Sequence, residues 1–149
     1  MMEIKIVSEN KKQFIDLLLL ADEQQNMIDR YLERGTLFAL YEKNCVKCVC
    51  VVTKEKKGIY EIKNLAVDTH YKRQGYGTKM LKYIFDYYKN VCDILFVGTG
   101  DSDLTIPFYK SCGFVYSHKV KNFFIEHYNA PIFECGVQLV DMIYLKKLL

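Results

Sequence analysis

The segment 67–78 constrains the fold most, because it joins a strand pattern to the most regular helix pattern of the sequence. The residues before it are rich in β-branched and aromatic side chains, as strands are. After it, apolar residues recur with the 3.6-residue period of a helix, at Tyr76, Met80, Leu81, Ile84, Phe85 and Tyr88. A strand that enters a helix through a turn with two glycines indicates a mixed α/β fold.

The remaining elements complete this pattern. Strands are predicted at residues 3–7, 36–41, 45–53, 59–67, 93–98, 114–120 and 137–145. Ser8 is predicted to cap a helix with Phe14 and Leu18 on its apolar side, and a second helix is predicted to end near Gly35. A short helix contains Pro107 in its first turn and stops at Gly113. The predicted fold is therefore α/β, with a mixed, largely antiparallel central sheet flanked by helices.

Composition limits the classes of function. The chain has 149 residues, half of them hydrophobic and 26% charged, which predicts one domain over residues 1–149 with a substantial core. A net charge of +3 is too small to imply binding to nucleic acid. No signal sequence or run of about 20 apolar residues is present, so we expect a cytoplasmic protein that does not bind membranes, with reduced cysteines.

The turn before the predicted helix has the features of an anion site. A helix N-terminus carries unpaired N–H groups and a partial positive charge, and Gly75 and Gly77 let a ligand approach the backbone. Lys72 and Arg73 add two cations. The dinucleotide fingerprint fails because Met80 stands where its third glycine is required. Taken alone, this Gly-x-Gly sequence indicates either a phosphate loop or a tight turn.

Two segments resemble motifs of one family. Asn64-Leu65-Ala66-Val67, followed by Lys72-Arg73-Gln74-Gly75-Tyr76-Gly77, resembles motif A of the GNAT superfamily, with Lys72 at its Arg/Gln position. Phe108-Tyr109-Lys110-Ser111-Cys112-Gly113-Phe114 resembles motif B. The resemblance spans residues 3–145 and implies a GNAT-like fold. It also implies acetyl transfer from acetyl-CoA to a primary amine of a small molecule or peptide, by direct attack in a ternary complex and without a metal.

The resemblance also implies a set of residues that bind the cosubstrate. Backbone groups of Leu65, Ala66 and Val67 would meet the pantetheine arm and the acetyl carbonyl. The pyrophosphate would lie against the turn and first helical residues, which are Lys72, Arg73, Gln74, Gly75, Tyr76, Gly77 and Thr78. Ser102 stands where many members have an asparagine that touches the cofactor.

Two catalytic residues follow from the same resemblance. Tyr109 matches the general acid, whose phenol can protonate the departing thiolate; its alternative role is that of a core aromatic residue. Glu61 matches the catalytic glutamate of histone-type members, and the alternative is an ion pair with Lys63. Further acids could attract a cationic amine or could simply be solvated, namely Asp101, Asp103, Glu126, Glu134 and Asp141.

Other interpretations remain open. Cys45, Cys48 and Cys50 are spaced as in some metal or redox sites, but only Cys48 and Cys50 would share a strand face, so we expect core thiols and no metal. A non-catalytic acyl-CoA-binding module is the alternative to an enzyme. The C-terminal strands could also pair two subunits in a homodimer.

Overall fold

The computed structural model of the protein describes all 149 residues and has a seven-stranded sheet at its centre. The strands are β1 (Met2–Val7), β2 (Thr36–Glu42), β3 (Cys45–Lys56), β4 (Gly58–Val67), β5 (Cys92–Gly100), β6 (Val115–Val120) and β9 (Met142–Leu148). Their order is β1-β2-β3-β4-β5-β9-β6, and only β4 and β5 run parallel. The predicted mixed, largely antiparallel sheet is therefore confirmed.

Five helices and a small hairpin surround the sheet. The helices are α1 (Ile15–Ala21), α2 (Gln25–Asp29), α3 (Tyr76–Tyr88), α4 (Thr105–Ser111) and α5 (Phe123–His127). Strands β7 (Phe133–Glu134) and β8 (Val137–Gln138) form the hairpin. None of the helices is both long and apolar enough to cross a bilayer.

The helices cover both faces of the sheet because the central strands are apolar on both sides. On β2, Phe38 and Leu40 pack into one cluster with α3 and α4, whereas Leu37 and Ala39 pack into another with α1 and α2. This alternation is the two-residue period of a strand, expressed here as two cores. The faces are called below the α3 face and the α1 face.

The parallel pair β4–β5 separates partway along its length. Its register runs from Gly58↔Cys92 to Ile62↔Val97 and stops there, although β4 continues to Val67 and β5 to Gly100. On its other side, β4 stays paired with β3 as far as Cys48↔Val67, across a bulge between Val51 and Val52. The gap between the ends of β4 and β5 is called the splay.

Several sequence-based boundaries differ from the structure. The predicted strand 137–145 is wrong as one element, because β8 ends at Gln138 and β9 begins at Met142. Helix α5 and the β7–β8 hairpin were not predicted. Ser8 is not a helix cap, since the first helical turn is a 3₁₀ turn at Lys11–Phe14 that follows Asn10 in the left-handed region, with φ 50° and no side-chain cap.

A buried lysine stabilises the connection from α2 into the sheet. Lys11 is 7% exposed, and its ammonium donates to the carbonyl oxygens of Leu32 (3.1 Å), Glu33 (3.1 Å) and Gly35 (2.6 Å). These carbonyl oxygens belong to residues that follow α2. The chain is no longer helical there, so no helical N–H group is available to bind them. Lys11 therefore holds the α1–α2 unit against the start of β2.

Lys11→Met is expected to lower the free energy of unfolding by about 1–3 kcal/mol, because buried carbonyls lose their donor. Urea unfolding measures the change. The control is Lys12→Met at the next position, where the side chain is half exposed and pairs with Asp29 at 3.3 Å. That surface pair should contribute no more than about 1 kcal/mol, and equal losses in the two variants would contradict the role given to Lys11.

Candidate active site

A cavity of about 710 Å³ occupies the splay. The end of β4, the end of β5, the N-terminus of α3 and helix α4 line it on one side, and the C-terminus of α1 and the segment 124–139 line it on the other. A smaller cavity of about 440 Å³ lies near Gly58 and Cys92, and no predicted site residue lines it. The larger cavity is therefore the candidate active site.

The turn before α3 opens into this cavity. Gly75 adopts φ 86°, a conformation that glycine tolerates without strain, and starts a helix of 13 residues. The first helical bond joins the N–H of Lys79 to the carbonyl of Gly75 at 3.0 Å, so the N–H groups of Tyr76, Gly77 and Thr78 have no partner within the helix. Unpaired N–H groups at the positive end of a helix form an anion site.

Side chains around the turn complete this end of the cavity. Lys72, Arg73, Gly75, Tyr76, Gly77 and Thr78 all line it. Gly77 lies so close to α4 that an added Cβ would be 3.2 Å from Cζ of Phe108. A larger residue here would require Phe108 to shift by a few tenths of an ångström, so glycine favours the close packing of α3 against α4.

The splayed end of β4 offers backbone groups to the same cavity. Leu65, Ala66 and Val67 line it and pair with β3 on one edge only. Because the β4–β5 ladder ends at Ile62 and Val97, the other edge of this segment has no strand partner. Backbone N–H groups that lack a strand partner can stabilise developing negative charge on a bound carbonyl.

Tyr109 reaches the cavity from α4. The residue is only 7% exposed, lines the cavity and packs edge-to-face against Phe108 and Phe114. Burial raises the pKa of Tyr109 above 10, and the nearby thiols of Cys50 and Cys48 act in the same direction. The phenol therefore remains protonated at neutral pH and is available as a proton donor.

Three predicted residues do not line the cavity. Glu61 pairs with Lys63 at 3.0 Å and accepts a hydrogen bond from the hydroxyl of Tyr144 at 3.3 Å, so the ion pair held as an alternative is present. Burial raises the pKa of Glu61, and Lys63 partly offsets this. Ser102 is buried in the connection that precedes α4, and its hydroxyl accepts a hydrogen bond from the N–H of Leu104. Gln74 also lies outside the cavity lining.

Most of the other candidate acids, and the three clustered cysteines, also lie outside the cavity lining. Among the acids considered from sequence, only Glu134 lines the cavity; Asp101, Asp103, Glu126 and Asp141 do not. Cys48 and Cys50 are buried in the core beside α3, whereas Cys45 is exposed. No cluster of three or more His, Cys, Asp or Glu side chains is close enough to hold a metal ion.

Sequence reasoning missed the residues of the second side of the cavity. Asp22, Glu23, Phe124 and Tyr128 line it, and Tyr128 donates a hydrogen bond to Asp22 at 2.6 Å across 106 positions of sequence. No local pattern marks these residues, because the chain brings them together only through the folded sheet.

Comparison with known proteins agrees with this geometry. The model of the acetyltransferase (GNAT) family matches residues 5–114. The uncharacterized N-acetyltransferase YvbK of Bacillus subtilis is 32% identical over 146 residues, which are 97% of this chain and 94% of that protein.

Two solved structures extend the similarity to the whole fold. A GNAT family acetyltransferase from Elizabethkingia anophelis with acetyl-CoA bound has a TM-score of 0.94 and 34% identity, covering 99% of this chain and 98% of that one. A Bacillus subtilis acetyltransferase in complex with CoA has a TM-score of 0.90 and 33% identity, covering 100% and 99%. The chain therefore belongs to the GNAT family of acetyltransferases.

Proposed function

We propose that the protein transfers the acetyl group of acetyl-CoA to a primary amine. The observation that carries this proposal is that the anion-binding turn before α3, the unpaired edge of β4 and the phenol of Tyr109 line one cavity. Binding of acetyl-CoA or CoA by two similar structures supports the identity of the cosubstrate. The name of the Bacillus subtilis relative supports nitrogen as the acceptor atom.

The cosubstrate would bind along the α3 face. The pyrophosphate would accept hydrogen bonds from the N–H groups at the start of α3, with Lys72 and Arg73 contributing charge. The pantetheine arm would extend along the unpaired edge of β4 and form strand-like hydrogen bonds there. The thioester would then lie between Ala66 and Tyr109, which both line the cavity.

The reaction requires two proton movements. An alkylammonium, with a pKa of about 10, must lose a proton before its nitrogen can attack the thioester carbon. The carbonyl oxygen then gains negative charge beside the β4 edge, the C–S bond breaks, and the new amide nitrogen loses its second proton. The thiolate accepts a proton from Tyr109 and leaves as CoA thiol. One of the two protons lost by the amine restores the phenol and the other goes to solvent, so one proton is released for each amide formed.

Acetyl-CoA is expected to raise the melting temperature, and the double variant Lys72→Gln/Arg73→Gln should weaken binding on the order of tenfold through loss of two cations near the phosphates. Calorimetric titration with acetyl-CoA measures the change. Lys82→Gln/Lys89→Gln is the matched control, because it removes the same charge from exposed positions of α3 and its C-cap, outside the cavity. Equal affinities in both double variants would contradict the location of the phosphate site.

Tyr109→Phe is expected to lower kcat by about 10² or more while acetyl-CoA still binds, because only the proton donor is removed. Thiol release over a panel of primary amines measures turnover, and titration measures binding. Tyr116→Phe is the control, since that exposed tyrosine on β6 does not line the cavity. A wild-type protein that binds acetyl-CoA and acetylates no amine would instead be an acyl-CoA-binding module.

Glu61→Gln tests the predicted base. We expect kcat to fall by less than about tenfold, because Glu61 lies outside the cavity lining and is paired with Lys63. The pH profile of kcat/KM accompanies the measurement, since loss of a base would remove its acidic limb. A loss as large as that of Tyr109→Phe would identify Glu61 as the base and would require a water between its carboxylate and the amine.

A further inference from the structure

The cavity passes through the splay to the α1 face of the sheet. On that face it is lined by Leu20, Asp22 and Glu23, which lie at and just after the end of α1, and by residues of the segment 124–139. The α3 face already carries the phosphate turn and Tyr109. A second substrate can therefore reach the splay from the side opposite to the cosubstrate.

Asp22 is the carboxylate at this entrance that is fixed by hydrogen bonds. One oxygen accepts from the hydroxyl of Tyr128 at 2.6 Å and the other from the hydroxyl of Tyr31 at 3.0 Å. The backbone N–H of Gln24 also donates to this carboxylate, so three of its roughly four acceptor positions are used and one remains for a ligand. Burial raises the pKa of Asp22, and the hydrogen bonds from Tyr128, Tyr31 and the backbone of Gln24 oppose this only in part, so a bound cation would relieve the cost of its charge.

Asn64 lies on the splayed part of β4 and is connected to the same network. Its amide nitrogen donates to the carbonyl of Leu18 at 3.0 Å and to the hydroxyl of Tyr31 at 3.1 Å. The carbonyl of Leu18 can only accept, which fixes the amide orientation and turns Oδ1 away from both partners. Asn64 is 3% exposed and lines the cavity, and its Oδ1 has no partner in the protein.

The lining on the α1 face combines negative charge with apolar surface. Asp22, Glu23 and Glu134 line it, and Oε2 of Glu134 is a second buried acceptor without a partner. The one basic residue nearby in the lining, Lys63, is already paired with Glu61. The apolar wall consists of Leu20, Phe124, Ile132 and Leu139. Unsatisfied acceptors beside an apolar wall fit a ligand that has a donor-rich cationic head and an apolar body.

We propose that Asp22 and Asn64 bind the amino group of the acceptor, and that the acceptor is a small cationic amine with an apolar body and no carboxylate beside its nitrogen. The ammonium donates to the remaining acceptor position of Asp22 and to Oδ1 of Asn64. Asn64 lies two residues from Ala66 on the strand that would meet the thioester. The apolar body lies against Phe124 and Ile132. This inference rests on the proposed amine acetylation and names its acceptor class and a specificity-determining residue.

The test compares 2-phenylethylamine with phenylalanine, which differ only in a carboxylate. Binding of each to the protein saturated with CoA is measured by calorimetry, and acetylation by thiol release. The wild type should bind 2-phenylethylamine at least about tenfold more tightly, because the carboxylate of phenylalanine would meet three acids. Asp22→Asn should weaken binding of 2-phenylethylamine and raise its KM by about 10- to 100-fold, with acetyl-CoA affinity unchanged.

Matched variants distinguish the effect of removing the charge of Asp22 from an effect on folding. Asp16→Asn removes the same charge from an exposed position of α1 outside the cavity and should change neither constant. Asp22→Glu keeps the charge and should retain more affinity than Asp22→Asn. Melting temperatures accompany all variants. If Asp22→Asn fails to fold, Tyr128→Phe takes its place. This variant keeps the charge of Asp22 and frees one of its oxygens, so it must preserve the preference for 2-phenylethylamine over phenylalanine.

Each result decides the inference. Unchanged amine binding in Asp22→Asn, equal binding of the two amines, or no binding of 2-phenylethylamine to the wild type would overturn it. Acetylation of other amines that depends on Tyr109 would then show that the proposed function stands without it. Asp22-dependent binding of 2-phenylethylamine without acetylation would support the inference about the site while the proposed function fails.

Discussion

The end of the β4–β5 ladder is the constraint on which the rest of the molecule depends. A parallel ladder that continued to Val67 would use every backbone group of β4 and would close the sheet. Because pairing stops at Ile62 and Val97, a short length of strand keeps one free edge inside the fold. The turn before α3, helix α4 and the α1 face all converge on that edge. An interior free edge is costly unless something pairs with it, which is a physical reason to expect an extended ligand there.

The two faces of the splay differ in how the chain builds them. The α3 face uses neighbouring residues, from the end of β4 through the turn to the first residues of α3. The α1 face is assembled from distant segments joined by a few hydrogen bonds. Besides the bond from Tyr128 to Asp22, Gln24 donates to the carbonyl of His127 at 3.1 Å and accepts from the N–H of Asn129 at 2.8 Å. The residues of the α3 face are close together in the chain and those of the α1 face are far apart. This difference explains why only the α3 face could be predicted from the sequence.

The sequence was sufficient for features that depend on short-range patterns. The central strands, α3 and the glycine turn before it were predictable, because the strand and helix periods and the two glycines lie close together in the chain. Tyr109 was selected through its spacing to Gly113 and Phe114, and the structure shows that it lines the cavity. A motif gives positions but not side-chain directions, so the ion pair of Glu61 and the inward hydroxyl of Ser102 were not foreseeable.

The missed C-terminal boundary has a related cause. Residues 137–145 alternate as one strand would, but the chain bends between Gln138 and Met142, where Leu139 is buried against Gly100. Left-handed Cys135 and Gly136 form the tight connection between β7 and β8 that precedes this bend. The hairpin and the bend contribute Glu134 and Leu139 to the cavity lining, so the irregular segment that defeats a period-based prediction also forms part of the cavity wall. Changes within the segment 124–139 can therefore reshape that side of the cavity while the turn before α3 stays intact. Under the proposed function, this would let one fold combine the same cosubstrate site with different acceptors.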